Sequence, residues 1–114
     1  MKNNTKKYEK LIIEILQAEI IERLNSDLKD LLIVDKVQQH YMILRTGWDT
    51  PKEFSNYIVI HFCIKQDTGK IWLLENNTDN PITNELVMRG IPPSQIVLGF
   101  HQPIFRAASG YAIN

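Results

Sequence analysis

The chain has 114 residues, 44% of them hydrophobic, and its 13 basic and 13 acidic side chains give a formal net charge of +0. That bounds a single domain, residues 1–114, with one modest core, and excludes strong long-range attraction to a nucleic-acid backbone. The lone Cys63 excludes an internal disulfide, and no apolar run approaches the roughly 18 residues of a membrane helix. The polar start, MKNNTKKYEK, has no apolar signal-peptide core behind it, so a cytoplasmic protein with no membrane contact is expected.

Residues 5–25 read as a helix, rich in Leu, Ile, Glu, Lys and Gln and free of Gly and Pro. Ten of the seventeen residues from 8 to 24 are apolar, whereas a one-faced surface helix carries about three or four per two turns. The excess predicts burial on two sides. The second side lies either deep against the chain's own sheet or against another chain, with Ile13, Ile20 and Leu24 as candidate interaction residues.

Four strand-like runs follow, at 28–34, 40–48, 57–65 and 70–75. Their short polar links favour an antiparallel meander, since parallel strands need a long crossover. In the second run, Met42, Leu44, Thr46 and Trp48 share a side. In the third, strict alternation places Ile58, Ile60, Phe62 and Ile64 on one apolar face and Tyr57, Val59, His61 and Cys63 on a mixed one. Gly69-Lys70 could be the stump of a phosphate loop, but no glycine stands five residues earlier, Ile71 follows the lysine, and a strand comes next. Residues 66–69 are therefore a hairpin turn, with Gly69 supplying a positive φ.

Beyond residue 76 a short helix is expected, with Asn80 as its cap, Pro81 in its first turn and Gly90 at its end. Pro93 opens a single turn, residues 96–100 give a fifth short strand, and Phe105 and Tyr111 anchor the tail. The fold class is α+β: an antiparallel meander sheet with a long N-terminal helix and a shorter helix in the C-terminal half.

The chemistry-bearing residues do not form a recognisable set. His40, His61 and His101 lie in three different elements without a cysteine pair or a paired-histidine metal motif, and read as structural. Cys63, inside an apolar strand, reads as a small buried hydrophobe rather than a nucleophile. Glu75 and Asp79 flank a helix start, where acidic groups suit the dipole. The expectation is no catalytic residue, no metal ligand, no cofactor and no enzyme activity. Trp48 and Trp72 are read as core or interface packing. Arg106, near His101, could hold an anion bidentately or tie down the tail through a salt bridge. A basic patch from Lys2, Lys6, Lys7, Lys10, Arg89 and Arg106 would support the alternative of a direct DNA-binding regulator.

HYMILRTGW (40–48), DTGKIWLLENNTDNPITNELVMRGIP (67–92) and SQIVLGFHQPIFRAASGYAIN (94–114) together resemble the XisI-like family, the fdxN-element excision controlling factors common in cyanobacteria. The ordered set includes Trp48, Gly69-Lys70-Ile71-Trp72, Gly90, Ile96-Val97-Leu98, Pro103 and Arg106. The chain departs from the family pattern at Asn76 and Asn77, where an aspartate is common, at Thr78-Asp79, where Thr-Glu is common, and at Pro93 and Gln95. The Asp-to-Asn exchange keeps hydrogen-bonding shape and drops charge, which fits a structural loop. The resemblance implies an α+β protein that self-associates, with a dimer favoured. It also implies an accessory role in excision of a DNA element through binding a XisH-like, nuclease-related partner. DNA contact is expected to be indirect or weak, and no catalytic residue carries over.

Overall fold

The computed structural model describes residues 4–114. Helix α1 (Asn4–Glu19) leads into strands β1 (Lys29–Asp35), β2 (His40–Thr50), β3 (Glu53–Ile64) and β4 (Ile71–Asn76). Helix α2 (Ile82–Met88), a 3-10 turn (Pro93–Gln95), strand β5 (Ile96–Leu98) and a short helix α3 (Pro103–Arg106) follow. The sheet order is β1-β2-β3-β4-β5. The first four strands form the antiparallel meander that the short links require. β5 pairs parallel to β4. A parallel neighbour needs a crossover connection, and α2 with the 3-10 turn supplies it. No helix among the described residues is long and apolar enough to cross a membrane.

α1 lays Tyr8, Ile12, Ile15 and Leu16, spaced by the helical repeat, across β2 and β3. They meet Tyr41, Ile43, Ile60, Phe62, Ile71 and Leu73, which with α2's Ile82 and Leu86 form one core. Tyr41 donates from its hydroxyl to Glu9 Oε2 at 2.8 Å, fixing helix to sheet.

The first helix is shorter than its sequence pattern implies. It stops at Glu19 because Asp30 of β1 draws the chain away: its Oδ2 accepts the Ile21 N–H at 2.9 Å. Ile20, Ile21 and Leu24 therefore sit in the connecting loop, and the apparent surplus of apolar residues is a helix plus a loop. Gly47, at φ 132°, lets that loop lie on β2, since a Cβ there would stand 2.4 Å from the Asp27 carbonyl oxygen.

The turn at 66–69 forms as expected, with Lys65 N–H donating to Lys70 O at 3.0 Å and Gly69 at φ 74°. Gly90, at φ 98°, ends α2. Asn80, however, does not cap that helix with its side chain. It donates to Glu19 Oε1 at 2.7 Å and so ties the end of α1 to α2.

Candidate functional site

α1 and α2 cover one face of the sheet. The other face stays open over β1, β2 and β3. Residues opposite one another in a ladder share a face, and the register aligns Leu31 with Leu44 and Ile58, and Ile33 with Met42 and His61. Each is one step out of phase with the buried Tyr41 and Ile43, so this row points away from the helix. At the far end of the β2–β3 hairpin Trp48 packs on Phe54 with ring centroids 5.2 Å apart. Leu31 (41% exposed), Ile33 (40%), Trp48 (49%) and Phe54 (57%) leave two apolar patches on this face, with the Lys29–Thr46–Asn56 row between them. Exposed apolar side chains grouped in this way make the face a candidate contact surface.

The expected single apolar face of β3 is broken. Ile43 pairs with Ile60 but Leu44 pairs with Ile58, so Val59 is an extra, bulged residue. Val59 turns into the core with Ile60, and Ile58 swings to the open face. Asn77 holds the bulge: its backbone N–H donates to Val59 O at 2.7 Å and its Nδ2 to Ile58 O at 2.8 Å. An aspartate could not donate that second bond, which gives the asparagine here a structural purpose.

At the other end of the open face His40 Nδ1 and His61 Nε2 lie 2.9 Å apart. Burial lowers the His61 pKa, and the neighbouring His40 lowers it further against the opposing pull of Glu75. Cys63 pairs with His40 across the ladder, and burial pushes its thiol up despite Lys65. A thiol held in that state is a poor nucleophile. Among the described residues no three or more His, Cys, Asp or Glu side chains converge as a metal-holding group.

The C-terminal segment covers the β4–β5 corner. Arg106 is buried; its guanidinium donates to the carbonyls of His101 (3.1 Å), Ile113 (3.2 Å) and Gly99 (3.5 Å) and sits 4.9 Å from the Trp72 ring centroid. The tail is tied down as one sequence reading has it, but by carbonyl oxygens and not by a salt bridge. Those bonds occupy the donors an anion would need. Lys65 Nζ lies 4.8 Å from the same indole. Trp72 Nε1 and His101 Nδ1 are buried and find no partner among the described residues. His101 also lines a surface cleft of about 500 Å³ with Phe100 and Phe105.

The structure therefore separates the candidate interaction residues. Trp72, His101 and Arg106 come together under the tail. Trp48 stands on the open sheet face. Ile13 is half-buried on α1, Ile20 is half-buried just past its end, and Leu24 is 90% exposed in the loop. The basic patch does not assemble as a whole: Arg106 is buried and Arg89 pairs with Glu14 at 3.3 Å, while Lys6, Lys7 and Lys10 stay together on α1. Lys2 lies outside the described residues. Sequence reasoning missed Leu31, Ile33 and Phe54. The alternation within residues 29–35 could have located the first two.

The sequence profile described as "XisI protein" matches residues 1–113. No curated protein sequence matches the chain. Among solved structures, a XisI-like protein from Anabaena variabilis ATCC 29413 is 33% identical, with 98% of this chain and 97% of that one covered and a TM-score of 0.80. The fdxN element excision controlling factor XisI from the same organism is 32% identical, with 97% and 99% covered and a TM-score of 0.81.

Proposed function

This chain belongs to the XisI family, and from that premise we propose that it is a non-enzymatic accessory factor in the excision of a DNA element. It acts by binding a XisH-like, nuclease-related protein and by associating with itself. One structural observation carries this reading: the sheet face turned away from α1 is apolar, with Leu31, Ile33, Trp48 and Phe54 all 40% exposed or more. Such a surface suits protein contact rather than bond chemistry. The groups that could have been reactive are occupied otherwise, with Arg106 bound to three carbonyls and the Cys63 thiol held protonated by burial.

The name of the Anabaena structure, an excision controlling factor, fits a chain that modulates another protein's activity. The test is co-purification of a tagged copy with a XisH-like protein. Recovery of the pair at micromolar concentration is expected. A tagged chain that retains no XisH-like protein under those conditions refutes the reading.

A further inference from the structure

We infer that the open face of β1–β3 is the contact surface for a second copy of this chain, sheet against sheet. The inference rests on the self-association in the reading above and deepens it by naming the surface.

Size is the first argument. β2 and β3 run 11 and 12 residues, roughly 36–40 Å of strand at about 3.3 Å per residue, and three strands at about 4.8 Å spacing make the face some 14 Å wide. Its footprint in projection is about 500 Å², and the relief of side chains brings the accessible area toward the roughly 800 Å² per partner of a standard interface. The molecule as a whole points the same way. It exposes 7236 Å², whereas a compact monomer of 13.3 kDa exposes about 6,450 Å². Its radius of gyration of 15.1 Å exceeds the about 13.3 Å of a compact chain of this length. The surplus is shared between this face and exposed apolar side chains elsewhere, such as Leu24, Val37 and Ile104.

Charge is the second argument, and it selects the occupant. The centre of the face, from Leu31 and Ile33 across Met42 and Leu44 to Ile58, carries no ionisable side chain. Lys29 stands in the row between this centre and Trp48–Phe54, Asp35 at the other end of β1, and His61 and Glu75 on the side of the centre toward β4. A two-fold axis sets a patch against itself, and any central charge would then meet its own kind. A neutral centre meets a copy of itself without that cost. A partner recruited mainly by electrostatic complementarity would require charges that the centre of this face does not hold. Two such faces stack about 10 Å apart as the inner layers of a β-sandwich.

The experiment is sedimentation equilibrium of the full chain across micromolar concentrations at neutral pH. It compares wild type with Ile33→Glu, Phe54→Glu and Met88→Glu, with far-UV circular dichroism on each. The two face positions are 40% and 57% exposed, so the folded monomer accommodates glutamate there. Met88, 81% exposed on α2, reports on the opposite side. The expected result is a wild type and a Met88→Glu variant at twice 13.3 kDa, and face variants with native spectra whose dissociation constants rise by at least about 100-fold. A monomeric wild type overturns the inference, as does a dimer that the face variants leave intact or that Met88→Glu dissociates. Capture of the XisH-like protein is scored separately. A monomeric wild type that still captures it overturns the interface and the self-association but leaves the partner binding standing, and a face-dependent dimer that captures nothing overturns only the partner binding.

Discussion

Replacing Asp30 by asparagine keeps the side chain's shape and removes its charge. The Asp30 carboxylate is wholly shielded from solvent. It accepts from Arg45 Nε at 2.8 Å, Arg45 Nη2 at 3.1 Å, Arg23 Nη1 at 3.1 Å and the Ile21 N–H at 2.9 Å. It is thus the common anchor of β2, of β1 and of the loop leaving α1. Breaking a fully buried ion pair costs about 3–5 kcal/mol. The arginines keep 16% and 20% of their side-chain exposure, which places the expected loss at the low end, about 3 kcal/mol. For a domain of this size that corresponds to a melting temperature lowered by about 10 °C. The pH dependence gives a second signature. Burial pushes the Asp30 carboxyl up, but the hydrogen bonds from Arg45, Ile21 and Arg23 outweigh it and hold it at about 2, below its usual 3.8. A lowered folded-state pKa contributes stability that is complete above the unfolded value and is lost as pH falls through the folded one. The window is therefore from about pH 4 down to about pH 2, and the contribution at stake is about 2 kcal/mol. Urea unfolding followed by circular dichroism, at neutral pH and at steps through that window, measures both quantities. The reasoning is refuted if Asp30→Asn lowers the stability by less than about 1 kcal/mol, or if the gap between the two proteins fails to narrow as the pH drops.

Gly47→Ala sets a Cβ 2.4 Å from the Asp27 carbonyl oxygen at a φ of 132°, so a loss of at least about 2 kcal/mol is expected in the same urea assay. Arg106→Ala removes three carbonyl bonds and leaves the tail held by the Ala112 N–H to Ile96 O bond of 2.8 Å, by Lys70 Nζ on Asn114 O at 2.6 Å and by the Tyr111 hydroxyl on Thr83 and Asn84. Amide exchange over residues 107–114 should accelerate at least about 10-fold while the core strands stay protected, and an unchanged tail would refute the clamp. Because burial, and secondarily His40, lower the His61 pKa from 6.5, its contribution is full above about pH 6.5 and falls away as the pH descends from there. Wild type should lose stability as the pH falls below about 6.5, and His61→Gln should give a flatter profile in thermal melts. Parallel profiles would refute it.

Where local pattern decided the conformation, the sequence was readable. The hairpin at 66–69 follows from Gly69 and from strand-forming neighbours, and the four-strand meander follows from links too short for a crossover. The family was legible in the ordered motifs from His40 to Asn114. What failed to show was decided by partners distant in the chain. The end of α1 is set by Asp30, which lies eleven residues past Glu19 and binds the Ile21 N–H. Asn80 has the composition of a cap, yet its side chain is taken by Glu19, 61 positions away. Arg106 was legible as a tether but not as one bonded to carbonyls, since nothing local announces Gly99, His101 and Ile113 as its acceptors.

The bulge at Val59 shows how a change of one residue in pairing can create a surface. On strict alternation Ile58 belongs with Ile60, Phe62 and Ile64 beneath α1, and the open face would receive Val59 in its place. With Val59 inserted, both Val59 and Ile60 serve the core, and Ile58 joins Leu31 and Leu44 on the far side. The core loses nothing, because a second apolar residue fills the position, and the open face gains an aliphatic side chain at its centre. That arrangement needs the two carbonyls beside the bulge to be satisfied beyond the end of β4, and Asn77 does so with one backbone and one side-chain bond. Asn77 is thus joined by two hydrogen bonds to the strand that shapes the open face. Asn77→Asp would turn the Nδ2 donor into an oxygen facing the Ile58 carbonyl, and should loosen Ile58 and its neighbours while sparing the core under α1. Amide exchange resolved by residue would detect it, as faster exchange over 57–60 with unchanged protection at Tyr41 and Ile43.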